Sequence, residues 1–212
     1  DNPYDSSKPK ILFVEGGSQY DIYAMRSAGI DPATGKEIFI KKNGEYTFQY
    51  DQNERVAVGN TNPILQGSLM NTLRYKGFSI SVATSYTFGS DYYNSTLKNK
   101  VENIDLNYNV DRRVFTDRWK EPGDHTRFLG IGTSSSSYQY SERFVERRNE
   151  LYISSIQVMY DFAPKAITRL GLRKLAVGFG LSDIAHISSV KFERGTEYPY
   201  CRGINLIFRP TF

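Results

Sequence analysis

Phe78-Ser79-Ile80-Ser81-Val82-Ala83-Thr84-Ser85-Tyr86-Thr87-Phe88 alternates between two kinds of side chain. The even positions carry Phe78, Ile80, Val82, Thr84, Tyr86 and Phe88, and the odd ones carry Ser79, Ser81, Ala83, Ser85 and Thr87. Successive side chains of a strand leave opposite faces, so period two predicts a β-strand with one greasy face and one small, polar face. Aromatics stand at both ends with aliphatics between them, as the interfacial girdles of a bilayer-crossing strand require. Its length also matches the ~9 to 11 residues that a tilted transmembrane strand needs.

Working outward, the same pattern recurs four times. Leu65, Gly67, Leu69, Asn71, Leu73 and Tyr75 form one face of a strand joined to the first through Lys76 and Gly77, which predicts a tight hairpin turn. Tyr152 to Phe162 puts Ile156, Val158, Tyr160 and Phe162 on one face, while Leu151 and Ile153 occupy the other phase; the switch near Ser154 and Ser155 predicts a bulge or the point of emergence from the membrane. Leu175, Val177, Phe179 and Leu181 alternate with Ala176, Gly178, Gly180 and Ser182, and Ile204, Leu206, Phe208, Pro210 and Phe212 alternate with Gly203, Asn205, Ile207, Arg209 and Thr211. The expected lipid-facing set is therefore Phe78, Ile80, Val82, Tyr86, Phe88, Ile156, Val158, Tyr160, Leu175, Val177, Phe179, Ile204, Leu206 and Phe208. Bacterial outer-membrane barrels commonly end on an aromatic that serves as an assembly signal, and Phe212 resembles that signal.

Composition agrees with an all-β transmembrane antiparallel β-barrel. Aromatics reach 14%, led by 16 Tyr and 13 Phe, while the mean hydropathy is negative at −0.50. No apolar run approaches the ~18 residues of a transmembrane helix, whereas lipid-facing and water-facing residues of a barrel strand cancel in any window. Cys201 is alone and has no intrachain disulfide partner. The net charge of +4 comes from interspersed signs and does not describe a nucleic-acid patch. No basic, then apolar, leader opens at Asp1, so the chain is expected either to have lost a signal peptide or to begin partway through a longer protein.

The stretch from Gly89 to Glu150 is long, polar and charged, as is the shorter one from Ser182 to Arg202. Long loops of such barrels are extracellular and short turns periplasmic. That rule puts the turns at Tyr75 to Phe78 and Asp161 to Lys174, and Phe212, in the periplasm. The expected plan is residues 1–63 as mostly outer hairpins, with candidate strands at Asp21 to Arg26, Glu37 to Lys41 and Glu45 to Tyr50. Residues 64–88 follow as a spanning hairpin, 89–150 as a long extracellular loop and 151–212 as the final three strands. Five spanning strands cannot close, because the smallest membrane barrels use ~8 and an open edge in hydrocarbon strands backbone polar groups. The remaining strands must come from a missing N-terminal part or another chain.

Several landmarks, in order, are similar to the SusC/RagA family of TonB-linked outer membrane proteins. They are Gly29-Ile30-Asp31-Pro32-Ala33-Thr34-Gly35-Lys36-Glu37, Val58-Gly59-Asn60-Thr61-Asn62-Pro63, Tyr75-Lys76-Gly77-Phe78-Ser79, Arg118-Trp119 with Pro122-Gly123-Asp124-His125-Thr126, Glu142-Arg143-Phe144-Val145-Glu146, and the aromatic terminus. Leu181-Ser182-Asp183 departs from the Asn-Leu pair more usual there. The resemblance implies the C-terminal strands of a plugged barrel of about 22 strands. It also implies energising through TonB, reached by the missing N-terminal plug portion, and a SusD-like surface lipoprotein that helps capture glycans or peptides.

For catalysis no nucleophile elbow, metal-ligand spacing or phosphate loop is present, so neither enzyme activity nor a cofactor or metal is expected. His125 and His186 lie far apart without a nearby Cys, Asp124 sits in a Pro-Gly-Asp turn, and Gly178 with Gly180 lacks the third glycine and helix of a phosphate loop. Asn94-Ser95-Thr96 reads as a glycosylation acceptor or a polar loop triplet. Trp119, Tyr138 and Tyr140 are the candidate substrate contacts, because flat aromatic faces hold sugars or peptides; packing of the loop on itself, or on a lid protein, is the competing reading. Two other functions fit the alternation: a passive or structural barrel such as a porin, and a soluble extracellular sandwich whose apolar faces share a core.

Overall fold

Alternation and turn chemistry decide where strands begin and end in the computed structural model, which describes residues 14–105, 107–133, 139–168, 171–191 and 202–212. The strands are β1 (Asp21–Ala24), β2 (Arg26–Ile30), β3 (Glu37–Ile40), β4 (Tyr46–Thr47), β5 (Val56–Asn60), β6 (Leu65–Tyr75), β7 (Phe78–Tyr93), β8 (Val145–Asp161), β9 (Lys174–Ser188) and β10 (Gly203–Thr211). Among the described residues three α-helices lie between them: α1 (Ser95–Val101), α2 (Arg113–Thr116) and α3 (Pro164–Ile167). Two compact units result, one from residues up to Pro63 together with Ser90–Arg147, the other from Ile64–Gly89 and Arg148–Phe212. Cys201 and Tyr138 lie outside the described residues.

The second unit is built on a five-stranded antiparallel sheet in the order β10-β9-β8-β7-β6. Register explains its two faces. Leu65 pairs with Phe88, Leu73 with Ile80 and Tyr75 with Phe78; Val158 pairs with Phe179 and Tyr160 with Val177; Phe179 pairs with Leu206 and Val177 with Phe208. Directly opposed residues share a face, so the alternating apolar positions of all five strands fall on one side. Phe78 and Tyr160, with ring centroids 4.6 Å apart, carry that side from β7 to β8. The hairpin turn is where Lys76 and Gly77 both take positive φ, 43° and 86°, the geometry whose twist matches the flanking strands. The expected phase switch is a bulge between Ile153 and Ser155, and the displaced Ser154 donates its hydroxyl to the Ala83 carbonyl at 3.1 Å.

Among the described residues the ridge finds no second layer. Of the buried apolar residues only Ile167 and Val190 belong to this unit, while Leu206 is 86% exposed and Ile80 41%. A sandwich core shared by these faces, the soluble alternative, is therefore not formed among the described residues.

The first unit departs from the sequence expectation. The long polar stretch after Gly89 is not a bare loop: β7 continues to Tyr93, β8 starts at Val145, and α1 and α2 lie between. Likewise β9 runs on to Ser188. Charged side chains and Gly89, at φ 76°, hide the alternation there. Upstream, β1 and β2 replace the single expected strand, and β5 pairs with β1 where only a landmark had been read. Its core is Ile22, Ala24, Tyr93, Leu97, Val101, Phe128, Tyr140 and Phe144.

Gly77→Ala should destabilise the hairpin. A Cβ there meets the Asp161 carbonyl oxygen at 2.8 Å, and the left-handed backbone itself costs about 1 kcal/mol for a residue with a side chain. Gly180→Ala, whose Cβ would sit 3.6 Å from Asn205 Cβ, should be near neutral. Urea unfolding of both variants in detergent tests the contrast.

Candidate functional site

The sheet presents two chemically different faces. On the apolar face, Phe78, Tyr160 and Phe162 cluster at the turn end, with Tyr160 and Phe162 centroids 4.8 Å apart. Tyr86 and Phe88 stack at 5.9 Å toward the other end, and aliphatics such as Ile80, Val82 and Val158 occupy the middle. Ile80, Phe88, Val177, Phe179, Ile204 and Phe208 are exposed, and Val82, Tyr86, Ile156, Tyr160 and Leu175 are half-buried by their strand neighbours. Phe212 lies just past β10 and is exposed. On the opposite face stand Gln66, Ser68, Thr72, Ser81, Ser85, Thr87, Gln157 and Asn205. Thr72 and Ser81 hydroxyls lie 3.0 Å apart. Gly178 is buried here because the space a Cβ would take is filled by Met159 Cγ, at 2.8 Å. Higher on β9, His186 Nε2 lies 2.5 Å from Glu150 Oε1 and its ring meets Tyr152 edge-on at 5.6 Å.

The first unit is organised by a buried ion cluster that no sequence motif announced. Arg143 reaches Glu37 at 2.7 Å and Glu102 at 3.0 Å. Glu37 also accepts from the Ser141 hydroxyl, and Glu102 from the Leu129 amide at 3.0 Å. Burial opposes the Arg143 charge, but the two carboxylates outweigh it and hold the guanidinium above its ordinary range. Lys98 is buried beside this cluster, donating to the Gln139 carbonyl; burial pushes its ammonium down to about 8, against the pull of Glu102 and Glu37. Arg118, also buried, donates to the carbonyls of Leu129 (2.7 Å), Val101 (3.1 Å) and Gly130 (2.7 Å).

These ties settle where the expected site residues lie. Tyr140 is buried at 8% exposure, edge-on to Tyr93 at 5.5 Å. Trp119 is half-buried, its indole N–H donating to the Pro32 carbonyl at 2.8 Å and its ring occupying the space beside Gly35 and Gly130. Both aromatics therefore brace the Asp31–Lys36 turn and the core. Asp124 accepts from the amides of Lys120 and Glu121 as a turn residue. Asn94 is buried and caps α1 through the Leu97 amide, and its own amide donates to Glu146 at 3.1 Å. Two open recesses of about 460 Å³ each remain in this unit. One is lined by Lys36, Phe39, Phe48, Gln49, Thr133 and Gln139, the other by Asn99, Asn103, Asp105, Tyr108 and Asn109.

No family model matches the chain. Over 188 residues it is 24% identical to the TonB-dependent receptor P39 of Formosa agariphila, a match that covers 85% of this chain and 18% of that protein. Among solved structures it is similar to the RagAB peptide importer in the open-open state, with a TM-score of 0.66 and 18% identity over 82% of this chain and 19% of that one. The closed-closed state of the same importer gives 0.62 and 18%, over 81% and 20%. The chain thus spans about a fifth of the length of the proteins it matches. The likeness is to a TonB-linked outer membrane protein of the SusC/RagA kind, and the fold is that of part of a transmembrane antiparallel β-barrel. The proteins matched are named as a receptor and an importer.

Two outcomes follow for the ion cluster. Arg143→Met strips the cation from two buried carboxylates and should cost about 3 to 5 kcal/mol, read as faster hydrogen exchange of the α1 amides; adding Glu37→Gln and Glu102→Gln should recover part of it. Lys98 is held below its unfolded value of about 10.4, so the unfolded state binds more protons between pH 8 and that value. Stability of this unit should therefore rise with pH through that window and be flat below it. In Lys98→Met the rise should vanish from the exchange rates, once these are corrected for intrinsic pH dependence.

Proposed function

We propose that this chain is the C-terminal, closing wall of a plugged outer-membrane barrel that imports an oligomeric nutrient, glycan or peptide, with energy delivered through TonB. In this reading residues 1–63 and 89–150 belong to the extracellular side, where a SusD-like lipoprotein lids the barrel and hands cargo to it. The N-terminal plug portion, which would contact TonB, lies outside these 212 residues. Outer-membrane lipid surrounds the wall.

One observation carries the proposal: register gathers Phe78, Ile80, Val82, Tyr86, Phe88, Ile156, Val158, Tyr160, Leu175, Val177, Phe179, Ile204, Leu206 and Phe208 on one side of an open sheet. A contiguous exposed ridge of this kind is what hydrocarbon solvates and water does not. The aromatic pairs at its two ends sit where interfacial girdles belong. Among the described residues both edge strands, β6 and β10, present unpaired backbone, which lipid does not tolerate, so further strands are needed to cover them. The short turn at Lys76-Gly77 then faces the periplasm.

The polar face lines the cargo path. Trp119 and Tyr140 act in this reading as supports for the outer unit, and exposed Phe48 and Tyr108, each on the rim of a recess, are the better-placed aromatics for cargo. Tyr108 stands among Asn99, Asn103, Asp105 and Asn109, a set able to bind hydroxyls or peptide amides. The alternative of a passive porin lacks support from the relative, which is named for its dependence on TonB.

Single cysteines at Val82, Val177 and Leu206 should react with a bilayer-restricted maleimide, and cysteines at Ser81 and Gln157 only with a water-soluble one. Protection of the first three from the lipid reagent would eliminate the barrel. Loss of uptake on deleting TonB or the neighbouring lipoprotein is expected of driven import; unchanged uptake would identify a passive pore.

A further inference from the structure

The stretches of the five strands nearest the short turns carry few charges, and their placement is not random. Across β6, Phe78 to Phe88 of β7, Ser155 to Asp161 of β8, Lys174 to Ser182 of β9, and β10, the charged residues are Arg74, Asp161, Lys174 and Arg209. Register sets all of them on the polar face. Arg74 opposes Ser79, Asp161 opposes Ala176, and Ala176 and Lys174 oppose Arg209 and Thr211. The Asp161 amide donates to the Gly77 carbonyl at 2.8 Å, so these residues occupy neighbouring rows beside the short turns. They line one recess of about 580 Å³. The rest of this face within these stretches is uncharged.

Three cations and one carboxylate leave the recess with a net positive charge. All four side chains are exposed, and none forms an ion pair among the described residues. The span of the cluster restricts what neutralises it. From Arg74 on β6 to Arg209 on β10 there are four interstrand steps of ~4.8 Å, or about 19 Å. A single phosphate or carboxylate cannot bridge that distance, whereas about six residues of extended chain at ~3.3 Å each can. Arginine guanidinium forks at both ends favour planar carboxylates.

The geometry points to a docking strip at the turn end of the sheet's polar face for an extended, acidic protein segment. Its carboxylates pair with Arg74 at one edge and with Lys174 and Arg209 at the other. The occupant is a segment of the same polypeptide lying inside the barrel, outside residues 1–212, and the inference rests on the barrel reading above. The open sheet edges require further strands, and the chain covers about a fifth of the importer it matches. The strip fastens an interior element to the wall by charge, at the end where the strands are tied by short turns and least free to move. Charge also makes the fastening releasable.

The test uses the full-length protein in outer-membrane vesicles, with a photo-cross-linking benzoylphenylalanine in place of Ser79, which lines the recess. The expected product is an internal cross-link to one segment bearing two or more Asp or Glu within about six residues. Arg74→Glu with Arg209→Glu should cut its yield roughly ten-fold, and so should about 1 M salt, which shortens the screening length to about 3 Å. Reversing the partner's carboxylates to Lys should restore the yield in the charge-reversed protein. Where the double reversal fails to assemble, Arg74→Gln with Arg209→Gln serves, with the same expected loss. A cross-link indifferent to charge and salt, or one only to lipid, to added peptide cargo or to residues 1–212, overturns the inference. A Leu206→Cys probe in the same vesicles separates the two failures: lipid-phase labelling there with no acidic cross-link rejects the strip alone, and absent labelling rejects the barrel and the strip with it.

Discussion

Backbone hydrogen bonding between long antiparallel strands, with side chains forced alternately to either side, is the constraint on which the rest of this structure depends. A strand satisfies its N–H and C=O groups only through neighbours. Once β6 to β10 are in register, each residue's face follows from parity. No contact within the second unit is needed to hold Leu206 or Phe208 outward; the pleat does it. That is why a sheet with so exposed an apolar side can still be precisely ordered, and why its glycines matter. Gly178 yields its space to Met159, and Gly77 turns the hairpin where Lys76 alone would splay the strands.

The first unit is ordered by a different principle. Its short strands and helices bury a modest core, and polar ties complete it. Arg143 connects the strand β3 through Glu37 and the end of α1 through Glu102, while Arg118 ends the carbonyls of Val101, Leu129 and Gly130. A buried pair of carboxylates is costly unless both are matched, and a guanidinium fork with extra amide and hydroxyl donors matches them. Such a cluster contributes less to net stability than to uniqueness: few other arrangements of these segments leave no charge stranded.

Much of this was legible in the residues, and the misses have physical reasons. Strand identity, the Lys76-Gly77 turn and the bulge beside Ser154 were readable because each is a local consequence of parity or of φ. The ends of β7, β8 and β9 were not, because beyond the apolar stretch the strands continue with Asp91, Arg147 and Glu150, side chains that solvent accepts on either face. The helix α1 was hidden in a polar run, though Asn94 capping the Leu97 amide is a signal that reading for N-caps recovers. For Trp119 and Tyr140 the sequence left cargo contact and packing of the loop on itself both open; Trp119 braces the Asp31–Lys36 turn and Tyr140 belongs to the core. The exposure of Phe48 and Tyr108 was not legible either, because nothing nearby in sequence marks it.

Alternation by itself determined that the chain makes a two-faced sheet and which residues lie on each face, because the period of a strand is set by covalent geometry and needs no knowledge of neighbours. Only the tertiary structure decided that Arg143 meets Glu37 and Glu102 across 106 and 41 residues of chain. The same holds for the row of Arg74, Lys174 and Arg209 at one end of the polar face. Such meetings depend on register and on folding over long loops, and a contact between distant residues leaves no periodic trace in the sequence that makes it.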